Sequence, residues 1–367
     1  MFPAHAFTRE WLLRQSKQMG ACAPQVLEKC LHALTLLGHL VEADLPLVFR
    51  GGTSLLLHLP EIHRLSIDID IVCPVEGRDL ESVLAVVAQR APFTGWDESV
   101  RDGTRLPRRR HFKFYYPTAL GLQEYAPPSV MLDVVAERQM IHALGSKPIA
   151  TGFLTPEREV KVKLPTVESL LGDKLTAFAP TTTGVPLRKA DGTPGDVVQV
   201  VKQLFDVGLL SESARDGVQV LETYRRAHAA ESGYRATQPS YEATLDDTIS
   251  ACLSASPMKA KVRERFPDYP LLLRGYTGMQ GHLTRKFSEE DFRRFAARTA
   301  AVAAILRAGR APNFDALRYA GSTEHIASIR AHTFNNTPWD WLDGMKQVNP
   351  AAYHCWMQAA RQVGTPV

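Results

Sequence analysis

Two aspartates separated by a single residue, Asp68 and Asp70, stand in the run Ser66-Ile-Asp-Ile-Asp-Ile71. On an extended chain the period of two puts Ile67, Ile69 and Ile71 on one face and both carboxylates on the other, roughly 7 Å apart. Aspartate is disfavoured in strands, and like charges sharing a face repel. A cation between them is the simplest remedy. An all-oxygen donor set suits Mg²⁺, which takes one or two carboxylates and completes its shell from water and substrate phosphates; Mn²⁺ is the alternative ion. The competing reading is the solvated outer face of an edge strand.

Two further features strengthen the first reading. Gly51 and Gly52 follow an apolar strand in Phe49-Arg-Gly-Gly-Thr-Ser54. A turn without side chains lets backbone N–H groups approach a phosphate, with the hydroxyls of Thr53 and Ser54 nearby. Farther on, Val130-Met-Leu-Asp-Val-Val-Ala136 is an apolar strand interrupted by one carboxylate, Asp133. A lone buried aspartate is costly unless paired or metal-bound, so its most economical place is beside the other two.

The elements that must position these groups alternate over the first 165 residues. Helices are predicted around Trp11 and over Val26 to Val41, then strands at Leu47 to Phe49 and Leu65 to Val72 and a helix over Asp79 to Arg90. A turn-rich basic stretch from Pro92 to Arg110 precedes strands at His111 to Tyr116 and Ser129 to Ala136. From Pro165 onward the pattern turns helical: Val167 to Phe178, Val197 to Leu209, Tyr241 to Leu253 and Asp291 to Leu306, the last with a capping signal at Ser288 and Gly309 at its end. Pro180 to Gly195 reads as a loop. The fold class predicted is α+β, with a mixed-sheet lobe over 1–165 and a helical lobe over 166–367 that completes a cleft.

Composition narrows the classes. With 367 residues, 45% hydrophobic, 22% charged and net charge +4, this is a folding chain, neither disordered nor fibrous. No apolar run is long enough to span a bilayer, and the N-terminus lacks a signal-peptide pattern, which predicts no membrane partner and a cytoplasmic location. The five cysteines are scattered without a C-x-x-C and read as buried free thiols. The twelve histidines form no H-E-x-x-H.

The glycine turn, the D-x-D strand and the later carboxylate strand together resemble the polymerase-beta type of nucleotidyltransferase fold. More narrowly, Phe49-Arg-Gly-Gly-Thr-Ser-Leu followed by His63-Arg-Leu-Ser-Ile-Asp-Ile-Asp resembles the AbiEii/AbiGii toxin family, the toxin half of type IV toxin–antitoxin and abortive-infection systems. Val167-Glu-Ser-Leu-Leu-Gly-Asp-Lys174 resembles that family's lysine helix, and Lys202-Gln-Leu-Phe-Asp206 its K-D-x-x-D helix, with Gln203 where the pattern has its first aspartate. The likeness runs from about Val48 to Leu210.

The resemblance implies that Asp68, Asp70 and Asp133 hold metal ions and that Gly51 to Ser54 cradle an NTP. It also makes Asp206 a site residue and Lys202 a weaker candidate for nucleotide contact. Lys174 lies on one helical face with Val167, Leu170, Leu171 and Phe178, and a lysine there needs an anion, for which the triphosphate is the implied partner. The implied reaction transfers NMP from an NTP to an acceptor hydroxyl with release of pyrophosphate. The tRNA 3′ end is the leading acceptor, arrested translation the result, and a DNA-binding repressor the implied antitoxin.

Ser66, two residues before Asp68, is predicted on the aspartate face, where phosphorylation would add negative charge beside the metal site. Basic clusters at Arg105, Arg108, Arg109, Arg110 and Lys113, and at Lys259, Lys261, Arg263 and Arg265, are candidates for RNA phosphate contact. Two other readings stand beside the first: a nucleotidyltransferase acting on a small molecule or protein side chain, and a non-catalytic interaction protein that keeps the fold.

Overall fold

Apolar residues at every second position build a five-stranded sheet. In the computed structural model, which describes the chain except for residues 21, 60, 62, 100–108, 122–125, 137–140 and 365–367, the strands are β1 Val48–Arg50, β2 Asp68–Val72, β3 Gly95–Glu98, β4 Arg109–Tyr115 and β5 Ser129–Val135. Their order is β1-β2-β5-β4-β3. Only the central pair β2 and β5 is parallel; the other neighbours are antiparallel. Phe49, Ile69, Ile71, Val130, Leu132, Phe112 and Phe114 are fully buried on one face. Against them lies α2, Pro24–Glu42, whose Leu27, Leu31 and Leu34 recur at helical spacing and are likewise buried. Helix α1, Arg9–Gln18, precedes it, and α4, Gly77–Ala88, contributes Leu80, Leu84 and Val87 to the same core. Between β1 and β2 sits the single helical turn α3, Leu55–His58.

The chain divides into two units, the first comprising Met1–Thr166 together with Gly281–Lys286, the second Val167–Gln280 and Phe287–Val367. The returning segment 281–286 pairs with the stretch before β2: the Leu65 N–H donates to the His282 carbonyl at 2.8 Å, the Thr284 N–H to the His63 carbonyl at 3.1 Å, and Arg64 bridges to Leu283. This explains why β2 starts at Asp68 and not at Leu65. The backbone of 63–65 is committed to the strap, and Ser66 precedes the strand with its hydroxyl beside Gly52.

Three strands escape the pattern reading. β3 falls within the stretch read as turns, and its short Gly-Trp-Asp-Glu sequence is only half-buried at the sheet's edge. The hairpin of β6, Leu144–Pro148, and β7, Lys161–Pro165, forms a separate two-stranded sheet whose first strand is largely exposed and lacks alternation.

The second unit is helical: α5 Val167–Ala177, α6 Val197–Ser213, α7 Gly217–Gly233, α8 Tyr241–Ala255, α9 Ala260–Arg263, α10 Tyr269–Met279, α11 Glu289–Arg307, α12 Thr323–Ala331, α13 Met345–Val348 and α14 Pro350–Val363. Its centre is α11, packed on α6, α8 and α14 through an alanine-rich surface. Ser288 and Asp291 form the capping box at its start, and Gly309 adopts φ +71° past its end. All five cysteines are buried free thiols. Among the described residues no helix is long and apolar enough to cross a membrane.

One buried group makes the first unit's core sensitive to acid. His32 of α2 stacks on Tyr116 at a centroid separation of 3.7 Å, and its Nδ1 lies 2.8 Å from the Glu28 carbonyl. Burial pushes its pKa down to about 4 from an ordinary 6.5. Between these values the unfolded chain takes up a proton that the folded one refuses, so the stability present above pH 6.5 is lost as the pH falls toward 4, by up to about 3 kcal/mol. Urea unfolding of His32→Gln across this window is expected to show a shallower pH slope than the parent; equal slopes would assign the acid sensitivity to other groups.

Candidate active site

Register decides which side chains meet. Across β2 and β5, Asp70 is the partner of Asp133, and Asp68 is the partner of Met131. Across β1 and β4 the same row continues to Arg50 beside Asp70 and His111 beside Asp133. Residues paired in register share a sheet face, so Arg50, Asp70, Asp133 and His111 form one row across four strands. Asp68 and Lys113 flank Met131 in the next row on the same face. All are half-buried, whereas the alternate residues Ile69, Ile71, Leu132 and Phe112 are fully buried beneath them.

Asp133 accepts a hydrogen bond at 2.7 Å from Nδ1 of His111, the two side chains being 18% and 13% exposed. No sequence motif signals His111. A histidine in an alternating strand looks like any polar outward residue, and only the pairing of β4 with β5 brings it to the carboxylate.

The glycine turn fits against the aspartates. Gly51 has φ +78°, the left-handed region, and a Cβ there would lie 2.0 Å from Oδ2 of Asp70, so conformation and close approach both require glycine. A Cβ on Gly52 would lie 2.5 Å from the guanidinium of Arg64, a buried residue, and 3.3 Å from the Ser66 hydroxyl. Thr53 and Ser54 differ from expectation. Both are fully buried, with the Thr53 hydroxyl donating to the Asp68 carbonyl at 2.5 Å and the Ser54 hydroxyl to the Gly51 carbonyl at 2.7 Å. They shape the turn and lock it to β2, and their hydroxyls point inward.

The donor chemistry suits a hard divalent cation: two carboxylates adjacent in register and a third on the same face. Among the described residues no three histidine, cysteine, aspartate or glutamate side chains converge closely enough to enclose an ion by themselves.

The second unit holds a charged group of its own. Lys174 of α5, on the apolar stripe read from the sequence, is buried, and its ammonium lies 3.0 Å from a carboxylate oxygen of the fully buried Asp206 of α6. It also donates to the Gln203 side-chain oxygen at 2.9 Å. The anion that this lysine requires is therefore supplied by α6, and the glutamine at the departure from the family pattern serves as its second acceptor. Lys202 lies half-buried on the same helix.

The basic clusters separate on inspection. Arg110 turns toward α4 and pairs with Glu81 and Glu98, both at 2.7 Å. Arg263 stacks on Tyr269 and lies 4.0 Å from Glu289, while Arg265 is 3.8 Å from Asp340. Arg109, Lys259 and Lys261 are exposed and Lys113 is half-buried; Arg105 and Arg108 lie outside the described residues.

Two substitutions test these arrangements. Gly51→Ala is expected to cost roughly 1–3 kcal/mol in urea unfolding, from left-handed strain and displacement of Asp70; a neutral result would mean that the turn is not fixed as described. Lys174→Met is expected to cost about 3–5 kcal/mol by stranding the buried Asp206 charge, with most of the loss recovered in Lys174→Met/Asp206→Leu. Equal losses in the single and double variants would show that the pair is not the source.

The profile of the family described as nucleotidyl transferase AbiEii toxin, type IV TA system, matches residues 35–317. No protein with a curated description matches the chain. Similar solved structures include the nucleotidyltransferase toxin MenT4 of Mycobacterium tuberculosis H37Rv, at 16% identity and TM-score 0.42, covering 82% of this chain and 99% of that one. Another is JHP933 of Helicobacter pylori, at 14% identity and TM-score 0.40, covering 76% and 92%.

Proposed function

Because this chain belongs to the AbiEii family of nucleotidyl transferase toxins of type IV toxin–antitoxin systems, we propose that it transfers NMP from an NTP to the 3′ end of an RNA, with tRNA the favoured acceptor. The observation that carries this reading is the register match of Asp70 with Asp133, with Asp68 on the same face and the Gly51-Gly52 turn against them.

Asp68, Asp70 and Asp133 would hold Mg²⁺ or Mn²⁺, which when bound polarises the α-phosphate and makes the attacking hydroxyl more acidic. Asp133 would help to orient that hydroxyl or to take up its proton. A bond forms between the acceptor oxygen and the α-phosphorus, the bond from that phosphorus to the β-phosphate bridging oxygen breaks, and pyrophosphate leaves. The Gly51-Gly52 turn, closed against Asp70 and Arg64, would offer backbone N–H groups to the phosphates. Lys174, held by Asp206, is the residue that the family pattern assigns to the nucleotide's negative charge. Exposed Arg109 and half-buried Lys113, on the carboxylate face of β4, favour a polyanionic acceptor over a small molecule or protein side chain. The physiological consequence is a block of translation, relieved by a cognate antitoxin that acts as a DNA-binding repressor.

Purified protein incubated with Mg²⁺, total tRNA and each α-labelled NTP in turn is expected to label tRNA, and Asp68→Ala/Asp70→Ala to lose at least 10³-fold of that rate. Label on protein and not RNA would overturn the acceptor assignment; no label with any nucleotide or acceptor would overturn the reaction.

A further inference from the structure

The hydrogen bond from His111 to Asp133 joins two residues whose backbones are register partners on β4 and β5, so sheet geometry, not a flexible loop, delivers the imidazole to the carboxylate. Asp133 stands beside Asp70 across the parallel pair, and two carboxylates so placed repel and tend to swing apart. Nδ1–H of His111 takes one oxygen of Asp133 at 2.7 Å and leaves the other to serve an ion. Burial of both side chains to less than one fifth exposure keeps water from replacing that bond freely.

We infer that His111 is a positioning residue that fixes the Asp133 carboxylate and thereby sets the affinity of the carboxylate row for a divalent cation. The inference rests on the reading that these carboxylates hold such an ion. Partners of this kind, which orient a metal ligand without touching the metal, change metal affinity by about 10- to 100-fold when removed.

The test compares His111→Asn, whose amide nitrogen takes the place of Nδ1, with His111→Leu, which lacks a donor. Mn²⁺ binding is read by electron paramagnetic resonance in the presence of a non-hydrolysable α,β-methylene NTP. In parallel, label transfer to tRNA is followed as a function of Mg²⁺ concentration, with circular dichroism melts reporting folding. The expected result is a Mn²⁺ dissociation constant at least about tenfold higher in His111→Leu and within about threefold of the parent in His111→Asn. The Mg²⁺ concentration for half-maximal rate should shift in parallel, and the rate at saturating metal should change less. If His111→Leu does not fold, His111→Gln replaces it, because its donor sits one bond farther out and should bind as weakly.

Parent-like binding in His111→Leu or His111→Gln, or equal weakness in His111→Asn and His111→Leu, would overturn the inference, as would a parent protein that binds no Mn²⁺. A parent that transfers no label yet shows the expected binding order would sink the transfer reading and leave the role of His111 supported.

Discussion

Asp70 and Asp133 occupy matching positions on adjacent parallel strands, and like charges in that register oppose the pairing that places them there. The surrounding structure answers this repulsion. Beneath the two carboxylates Ile69, Ile71, Leu132 and Val134 are buried, so sliding either strand by one residue would expose that apolar set. At the ends of the row stand Arg50 and His111, which can carry positive charge or donate hydrogen bonds. Gly51 supplies the missing volume that lets Asp70 lie over the turn. A chemically unfavourable pair is thus held in place by an apolar face that does not tolerate a one-residue slip.

Legibility in the sequence followed from how local each signal was. The D-x-D alternation, the glycine turn and the apolar strand around Asp133 are patterns within a few residues, and they point to the α+β sheet and to the face on which the three aspartates lie. The capping box at Ser288 and the helical stripe through Lys174 were legible for the same reason. His111 was not, because its meaning lies in a partner twenty-two residues away across a strand pair. Neither was the end of the pre-β2 extension at Ser66, since the segment that claims residues 63–65 is more than two hundred residues downstream. Short exposed strands such as β3 and β6 carry too few buried positions to announce themselves.

The Lys174–Asp206 pair shows how one residue can be read in two ways. An ammonium on an apolar helix face does require an anion, but a fully buried carboxylate on α6 meets that need within the protein. Its substitution therefore mixes a folding cost with any loss of catalysis, and activity measurements on Lys174 variants have meaning only beside their unfolding curves. Gln203 adds a neutral acceptor where the family pattern would place a second carboxylate.

The strap formed by Gly281–Lys286 binds the order of events in biosynthesis to the architecture. Its backbone hydrogen bonds to His63 and Leu65 sit immediately ahead of the D-x-D strand and beside the guanidinium that touches the glycine turn. A ribosome translating this message must carry the chain past Lys286 before the stretch leading into Asp68 finds its partner. The stretch that enters the D-x-D strand accordingly stays without these backbone bonds until residues 281–286 have been made, more than two hundred residues after it.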